Sequence, residues 1–455
     1  MTTATAVTPN VQALIMAGGQ GERLYPLTAS RPKPAVPFGG VFRIVDFTLS
    51  NCLNSGLSRV SLLTQYKHEE LQTYIQQSWS GPWTGMARES LVCLPPSGGN
   101  RYRGTADAVL QNIAGLRHRG PESVLILSAD QVYHMDYRDL LRYHAETNAD
   151  LTIATVEQSL TAAKQLGVVE VDSERRVVGF QEKPSNPRSV PSRPAGALIS
   201  MGVYAFKREV LMQALSESCD KEKGYDFGRH IIPSLIGSAH VRAYDFRDEA
   251  KGLPGYWRDI GTLDSYYETS MDLVRPETPF DPYTNDDWPS YPARYESSPC
   301  SRFAPGLHSQ PLISLDGCAL PGLHSQPLIS LDGCALPGLH SQPLMARLHT
   351  NCRVRRSILS PGVRIEDGGW IDSSVLMPRV WVGKGARIRH AIIEEGVHIP
   401  AGFQIGFDLE NDRRHYFVTG AGVVVVSQTP KHTRPTVVCA PRRIRPRPVI
   451  VSRAA

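Results

Sequence analysis

Gly18, Gly19 and Gly21 follow the largely apolar run Val11–Met16, and two cations, Arg23 and Lys33, follow the glycines. A loop with so little side chain lets backbone N–H groups close on a polyphosphate, and cations held at fixed distances can neutralise it. The spacing is neither G-x-x-x-x-G-K-[ST] nor G-x-G-x-x-G. An ordinary strand and turn is the competing reading of the glycines alone.

Such a loop needs a rigid sheet behind it. Up to about residue 275, strand-like runs (Ala13–Met16, Val60–Leu63, Val124–Ser128, Leu151–Ala154) alternate with amphipathic stretches such as Thr105–Leu116 and Tyr137–His144. That alternation predicts an α/β, Rossmann-like domain with a mostly parallel sheet. Open sheets of this kind bind ligands at the carboxyl ends of their strands. The glycine loop and Asp130 both fall just past such ends.

From Arg275 to about Ala304 the composition turns to Pro, Asp, Tyr and Ser, as in a connection without regular structure. The segment PGLHSQPLISLDGCAL then occupies Pro305–Leu320 and again Pro321–Leu336, and its first eight residues recur at Pro337–Leu344. Structural repeats usually keep only their pattern, so identity points to a recent duplication or an artefact of the sequence. From Cys352 to Gly406 an apolar period of six residues appears: Val380, Ala386 and Ile392; Val382 and Ile388; Val397 and Phe403; Ile399 and Ile405. This is the hexapeptide signature of a parallel β-helix. A helical period of 3.6 would scatter the same residues around the surface. The tandem repeat of 16 residues does not match three hexapeptides, about 18 residues, so at least one copy is expected to loop out.

The chain of 455 residues is too long for one compact domain, and 41% hydrophobic residues suffice for real cores. No run of about 18 apolar residues would span a membrane. The first ten residues lack the basic and apolar regions of a secretory signal. Eight cysteines (52, 93, 219, 300, 318, 334, 352, 439), with no C-x-x-C, read as reduced thiols of a cytoplasmic protein and not as a disulfide framework or zinc site. Seven Lys/Arg and no acids lie in Gln428–Ala455, so the net charge of +5 leaves −2 for the rest of the chain. That balance is no footprint for nucleic acid, and the basic tail reads as a solvated, disordered end.

Together the two halves resemble the glucose-1-phosphate adenylyltransferases (ADP-glucose pyrophosphorylases) of bacterial glycogen synthesis. The resemblance runs from about Gln12 to Val426 and is interrupted around the tandem repeat. Its residues are the G-G-x-G-x-R…K-P pattern from Gly18 to Pro34, KPAVPFGGVFRIVDFTLSNCLNSG (Lys33–Gly56), LLTQYK (Leu62–Lys67), YRGTADAVLQN (Tyr102–Asn112) and LSADQVY (Leu127–Tyr133). FQEKP (Phe180–Pro184), SMGVYAF (Ser200–Phe206), DFGRHIIP (Asp226–Pro233) and YWRDIGTLDSYY (Tyr256–Tyr267) continue it. The implied division is a nucleotidyltransferase domain (1–275), a linker with the tandem repeat (276–345), a left-handed β-helix (346–427) and the basic tail (428–455).

The resemblance implies transfer of an adenylyl group from ATP to glucose 1-phosphate with Mg²⁺. A sugar phosphate with its second pKa near about 6 attacks as an anion, so no general base is required. Charge neutralisation and positioning are what the reaction needs. By the same resemblance, Arg23 and Lys33 stabilise the triphosphate and the departing pyrophosphate, Gly18, Gly19 and Gly21 meet the nucleotide, and Asp130 and Asp259 hold the metal. Tyr102, Gly104, Gly167, Glu182, Lys183 and Ser200 fall to the substrates, Lys183 pairing with the sugar's phosphate and Glu182 accepting its hydroxyls. Taken singly, each Asp could be a helix cap and the Glu182–Lys183 pair a solvated surface pair. Arg31, Arg43, Arg387 and Arg413 match or lie near basic positions used by sugar-phosphate or nucleotide effectors between the two domains. Ser30 stands where some members carry a lysine, which leaves the activator open. A cytoplasmic homotetramer without nucleic-acid or membrane partners is the implied context.

Three rivals are weighed by residues. An enzyme for dTTP or UTP is disfavoured by Gly104-Thr105-Ala106-Asp107-Ala108 and by the β-helix. A non-catalytic relative would lack the cations or the metal acids, and Arg23, Lys33, Asp130 and Asp259 are all present. An acyltransferase β-helix would need a catalytic histidine, whereas His390 and His398 are isolated.

Overall fold

The computed structural model describes residues 10–79, 91–97, 101–112, 122–190, 194–220, 225–248, 250–291, 312–313, 347–349 and 351–429. The expected looped-out repeat copy and the basic tail lie outside the described residues, apart from Leu312–Ile313 of the repeat and the tail's first two positions.

Strands β1 (Val11–Ala17), β2 (Val60–Thr64), β3 (Leu91–Leu94) and β4 (Ser123–Ser128) form a parallel half-sheet in the order β4-β1-β2-β3. β2 is buried at every position, as a parallel strand covered by helices on both faces must be. Those helices include α1 (Ile44–Asn54), α2 (His68–Trp79), α3 (Thr105–Gln111) and α4 (Tyr137–Glu146). α3 stops at Gln111 with Asn112 as its cap; the rest of the stretch expected to be helical, 113–116, lies outside the described residues.

The strand β5 (Gln131–Tyr133) leaves the sheet just past β4. The other half-sheet holds β6 (Leu151–Ser159), β7 (Gly167–Val171), β8 (Val177–Glu182), β9 (Gly196–Lys207) and β10 (Val241–Asp245). β9 runs antiparallel to β4, β6 and β7, so the sheet is parallel on the glycine-loop side and mixed on the other. The register of β9 shifts between Ser200 and Tyr204. Gly202 lies within the shift at φ +68, where a Cβ would stand 2.8 Å from Ser128 Oγ. Such a bulge re-aims the side chains beside it.

The second domain is a left-handed parallel β-helix with three strand columns. Arg347 faces Arg364, which faces Trp381, which faces His398, a step of 17 residues per coil. Each coil is thus one residue shorter than three full hexapeptides, and one residue longer than the tandem repeat. Val380, Val382, Ala386, Ile388, Ile392, Val397, Ile399 and Ile405 point inward as their period predicts. Phe403 does not and is 45% exposed. One coil earlier its column holds Ala386, fully buried, and a space that fits a methyl group rejects a phenyl ring.

One apolar cluster spans both domains. Leu24, Leu27, Val36, Phe38 and Ile260 pack with Ile358, Val375, Ile392 and Val425 of the β-helix. The segment that follows the glycine loop is therefore braced by the second domain.

Candidate active site

A two-stranded ribbon builds the acidic centre. β5 pairs antiparallel with β11 (Trp257–Asp259), placing Asp259 opposite Gln131. The Ile260 N–H donates to the Asp130 carbonyl at 3.2 Å, so two acids distant in sequence stand side by side. Gln131 secures the ribbon by donating to the Met201 carbonyl at 2.6 Å and accepting from Trp257 Nε1 at 3.1 Å.

Lys33, between Pro32 and Pro34, opens a one-turn 3₁₀ segment, Lys33–Ala35, and the two proline rings restrict the local backbone. Its Nζ lies 2.6 Å from Asp130 Oδ2 and 3.7 Å from Asp259 Oδ1. Burial works to lower the pKa of this ammonium, but the two carboxylates outweigh it and hold Lys33 above its ordinary value. Burial also pushes Asp259 up; Lys33 works against that shift and the negative charge of Asp130 adds to it. Arg23 belongs to the same field, because a Cβ on Gly261 would stand 3.3 Å from its Nη2 and 2.8 Å from Asp259 Oδ2.

The glycines differ in what they permit. Gly21 has φ +70, and a Cβ there would meet Lys33 Cβ at 2.9 Å, so loop and lysine pack directly. A Cβ on Gly19 would meet nothing within 4 Å among the described residues, which leaves room there for a ligand. Gly104 precedes α3 in extended backbone, and a Cβ would come 2.2 Å from the Tyr225 carbonyl oxygen.

Glu182 ends β8, and Lys183 follows at φ +49, a left-handed conformation unusual for a residue with a side chain. The Lys183 N–H donates to the Leu166 carbonyl at 3.0 Å, and its Nζ lies 3.4 Å from Glu182 Oε1. The Lys183 cation also works against the upward shift of Asp259, which links the end of β8 to the acidic centre. Gly167 and Gly228 crowd Glu182: a Cβ would stand 3.3 Å and 2.9 Å from its Oε2, respectively. Ser200, on the bulge of β9, is buried with its Oγ 3.1 Å from the Tyr204 hydroxyl.

The expected residues therefore divide. Arg23, Lys33, Asp130 and Asp259 converge beside Gly21, with Lys183 in the same field, and Glu182 faces Gly167. Tyr102 is occupied by the fold: its hydroxyl donates to the Leu94 carbonyl and accepts from Asn112 Nδ2, both at 3.0 Å. The four arginines expected at an effector site make separate contacts. Arg31 pairs across the domains with Glu395 at 2.6 Å, and Arg379 holds the same carboxylate at 2.5 Å. Arg43 stacks on Tyr74, Arg387 lies over Trp370 and Phe407, and Arg413 pairs with Glu410 on its own helix, α5 (Leu409–His415).

Gln65, Gln131 and Asp226–Gly228 lie in segments that carry the resemblance but were given no role by sequence, and Tyr225 was not singled out. Gln65 Oε1 accepts from the Tyr102 N–H at 2.5 Å, joining the glycine-loop side to the Tyr102 segment. The D-F-G of Asp226–Gly228 was a signal for the loop, but nothing in it pointed to Glu182. Among the described residues no group of three His, Cys, Asp or Glu could hold a metal by itself.

A glycine loop at the carboxyl end of β1, two cations and a pair of acids, with a β-helix alongside, are the features of a nucleotidyltransferase. The Nucleotidyl transferase family model matches residues 12–275, and the GlmU-like, C-terminal hexapeptide model matches 347–426. Over 430 residues the chain is 41% identical to glucose-1-phosphate adenylyltransferase 2 of Alkalilimnicola ehrlichii, covering 92% of this chain and 94% of that protein. It is 40% identical to the glucose-1-phosphate adenylyltransferase of Koribacter versatilis, covering 91% and 94%, and 40% identical to that of Shewanella frigidimarina, covering 93% and 96%. The chain belongs to the glucose-1-phosphate adenylyltransferase family.

Proposed function

We propose that the protein transfers the adenylyl group of ATP to α-D-glucose 1-phosphate, giving ADP-glucose and pyrophosphate, the committed step of glycogen synthesis. The observation that carries this reading is Lys33 held between Asp130 and Asp259 beside the glycine loop. An oxygen of the sugar phosphate attacks the α-phosphorus of ATP. The bond from that phosphorus to the bridging oxygen breaks, and its electron pair leaves with pyrophosphate. Lys33 and Arg23 take up charge on the leaving group, Gly18, Gly19 and Gly21 admit the triphosphate, and Lys183 and Glu182 orient the acceptor, with Gly167, Ser200, Gly104 and the Tyr102 segment shaping the substrate cleft.

Two carboxylates from distant segments, brought side by side, suit Mg²⁺, which binds through few protein ligands together with substrate phosphates. Asp130 and Asp259 would hold the ion, and it would neutralise phosphate charge. Sugar-phosphate or nucleotide effectors are assigned to the domain junction at Arg31, with Arg387 and Arg413 as further basic positions on the β-helix. A cytoplasmic homotetramer completes the proposal; among the described residues no helix is long and apolar enough to cross a membrane. Pyrophosphate release measured with glucose 1-phosphate and each NTP, with and without Mg²⁺, tests it. A preference for dTTP or UTP, or no release at all, would overturn the reading.

A further inference from the structure

Lys33 reaches its carboxylates from a turn whose own backbone bonds, Ala35 N to Pro32 O and Val36 N to Lys33 O, are local. Arg43 ties that turn to the domain core. Its Nη1 donates to the Ala35 carbonyl at 3.0 Å, and its guanidinium carbon lies 4.2 Å over the Tyr74 ring. The Arg43 N–H donates to Asp46 Oδ2 at 2.7 Å, capping α1. Asp46 is fully buried and also accepts from the Tyr74 hydroxyl at 2.6 Å and from Trp79 Nε1 at 2.8 Å. A buried carboxylate with this many donors is held in one geometry, and the guanidinium that shares Tyr74 with it is held as well. Pro37 opposite Arg43, and Ile44 N donating to Val36 O at 3.2 Å, fasten the far end of the turn.

We propose that Arg43, fixed by Asp46, Tyr74 and Trp79, is a positioning residue for Lys33: it sets the turn that aims the ammonium at Asp130 and Asp259. The inference rests on the nucleotidyl-transfer reading and gives Arg43 a role in turnover without effector. One face of its guanidinium is covered by Tyr74 and one nitrogen is committed to a carbonyl, an arrangement suited to holding backbone.

The test is a double-mutant cycle on the full-length protein without effector. Arg43→Met is expected to lower kcat by about 10- to 100-fold, because a displacement of about 1 Å in a reacting group can cost that much. The KM for ATP should change less than about threefold. Arg43→Lys, which can still donate to the Ala35 carbonyl, should recover most of the loss. In a Lys33→Met background Arg43→Met should cost less than about twofold more, since the two act through one group. Tyr74→Phe, which keeps the ring and loses one donor to Asp46, should show a smaller loss of the same kind and serves should Arg43→Met not fold. A loss that adds in full onto Lys33→Met, or an unchanged basal kcat with only the effector response altered, overturns the inference. A wild-type protein without adenylyl transfer would remove the function and, with it, this role.

Discussion

The ammonium of Lys33 lies 2.6 Å from Oδ2 of Asp130, with Asp259 on its other side at 3.7 Å. Asp259 needs a cation nearby, since burial and Asp130 together push it up. Lys33→Ala and Arg23→Ala should each lower kcat by about 100-fold or more, as expected for groups that act on transition-state charge. Circular dichroism should show both variants folded. Normal turnover in Arg23→Ala would take that residue out of the mechanism.

Lys183 stands at the end of β8 at φ +49, with its backbone N–H fixed to Leu166. A strained, non-glycine position persists where its surroundings demand it, and the proposed role of Lys183 on the acceptor's phosphate would be such a demand. Lys183→Ala should chiefly raise the KM for glucose 1-phosphate, by about tenfold or more, and leave the KM for ATP unchanged. Initial rates with each substrate varied in turn check this. A rise confined to ATP would reverse the assignment.

The same Gly→Ala change should do different things at two glycines. At Gly19 a methyl meets nothing within 4 Å among the described residues, so Gly19→Ala should melt like the wild type while its KM for ATP rises. At Gly104 the methyl would sit 2.2 Å from the Tyr225 oxygen, and the Ala106 N–H to Tyr225 O bond of 2.8 Å beside it would give way. Gly104→Ala should lose about 1–3 kcal/mol, read as a fall in denaturation midpoint. Equal melting of the two variants would refute the distinction.

The parts legible in sequence were those with a period or a fixed spacing. The six-residue ladder placed Val382, Ile388, Ile399 and Ile405 inside the β-helix, because burial there follows position along the coil. Phe403 escaped that rule because its column is sized by Ala386 of the neighbouring coil, which one period cannot reveal. At the site, the glycine loop and the two cations after it were marked by their spacing. The acids were recognisable only through resemblance, since the ribbon pairing Asp259 with Gln131 joins segments that no local pattern connects. Arg43 was read by its charge, whereas its contacts with Ala35, Tyr74 and Asp46 depend on tertiary packing.

Glu395 holds Arg31 and Arg379 at 2.6 and 2.5 Å, so a β-helix carboxylate occupies the seat an anionic effector would need. Glu395→Gln should lower the concentration of sugar phosphate needed for half-maximal response, because the competing charge is gone. Activity against fructose 1,6-bisphosphate, fructose 6-phosphate and pyruvate, compared between wild type and variant, measures it. No response to any effector in either protein would remove the effector site from this junction.

His144, on α4, is buried, with Nδ1 2.8 Å from Thr152 Oγ1 and Nε2 without a hydrogen-bond partner among the described residues. Burial, aided by Lys207 and opposed by Asp150, pushes its pKa from 6.5 down to about 4. The unfolded chain then binds the proton first as the solution acidifies. The stability from the neutral ring is full above about pH 6.5 and is lost as pH falls toward 4, up to about 3 kcal/mol. Asp46 works in the opposite sense: burial raises its carboxyl from 3.8 to about 6, so its contribution is lost as pH rises through that interval. Because the two oppose each other between about pH 4 and 6, the wild-type slope alone does not report His144. His144→Gln keeps a partner for Thr152 and removes the titration. Melting temperatures from pH 7.5 to 4.5 should therefore fall less steeply in His144→Gln than in the wild type, with the curves converging toward the acid end. Parallel curves would show that His144 is protonated in the folded protein as readily as in the unfolded chain.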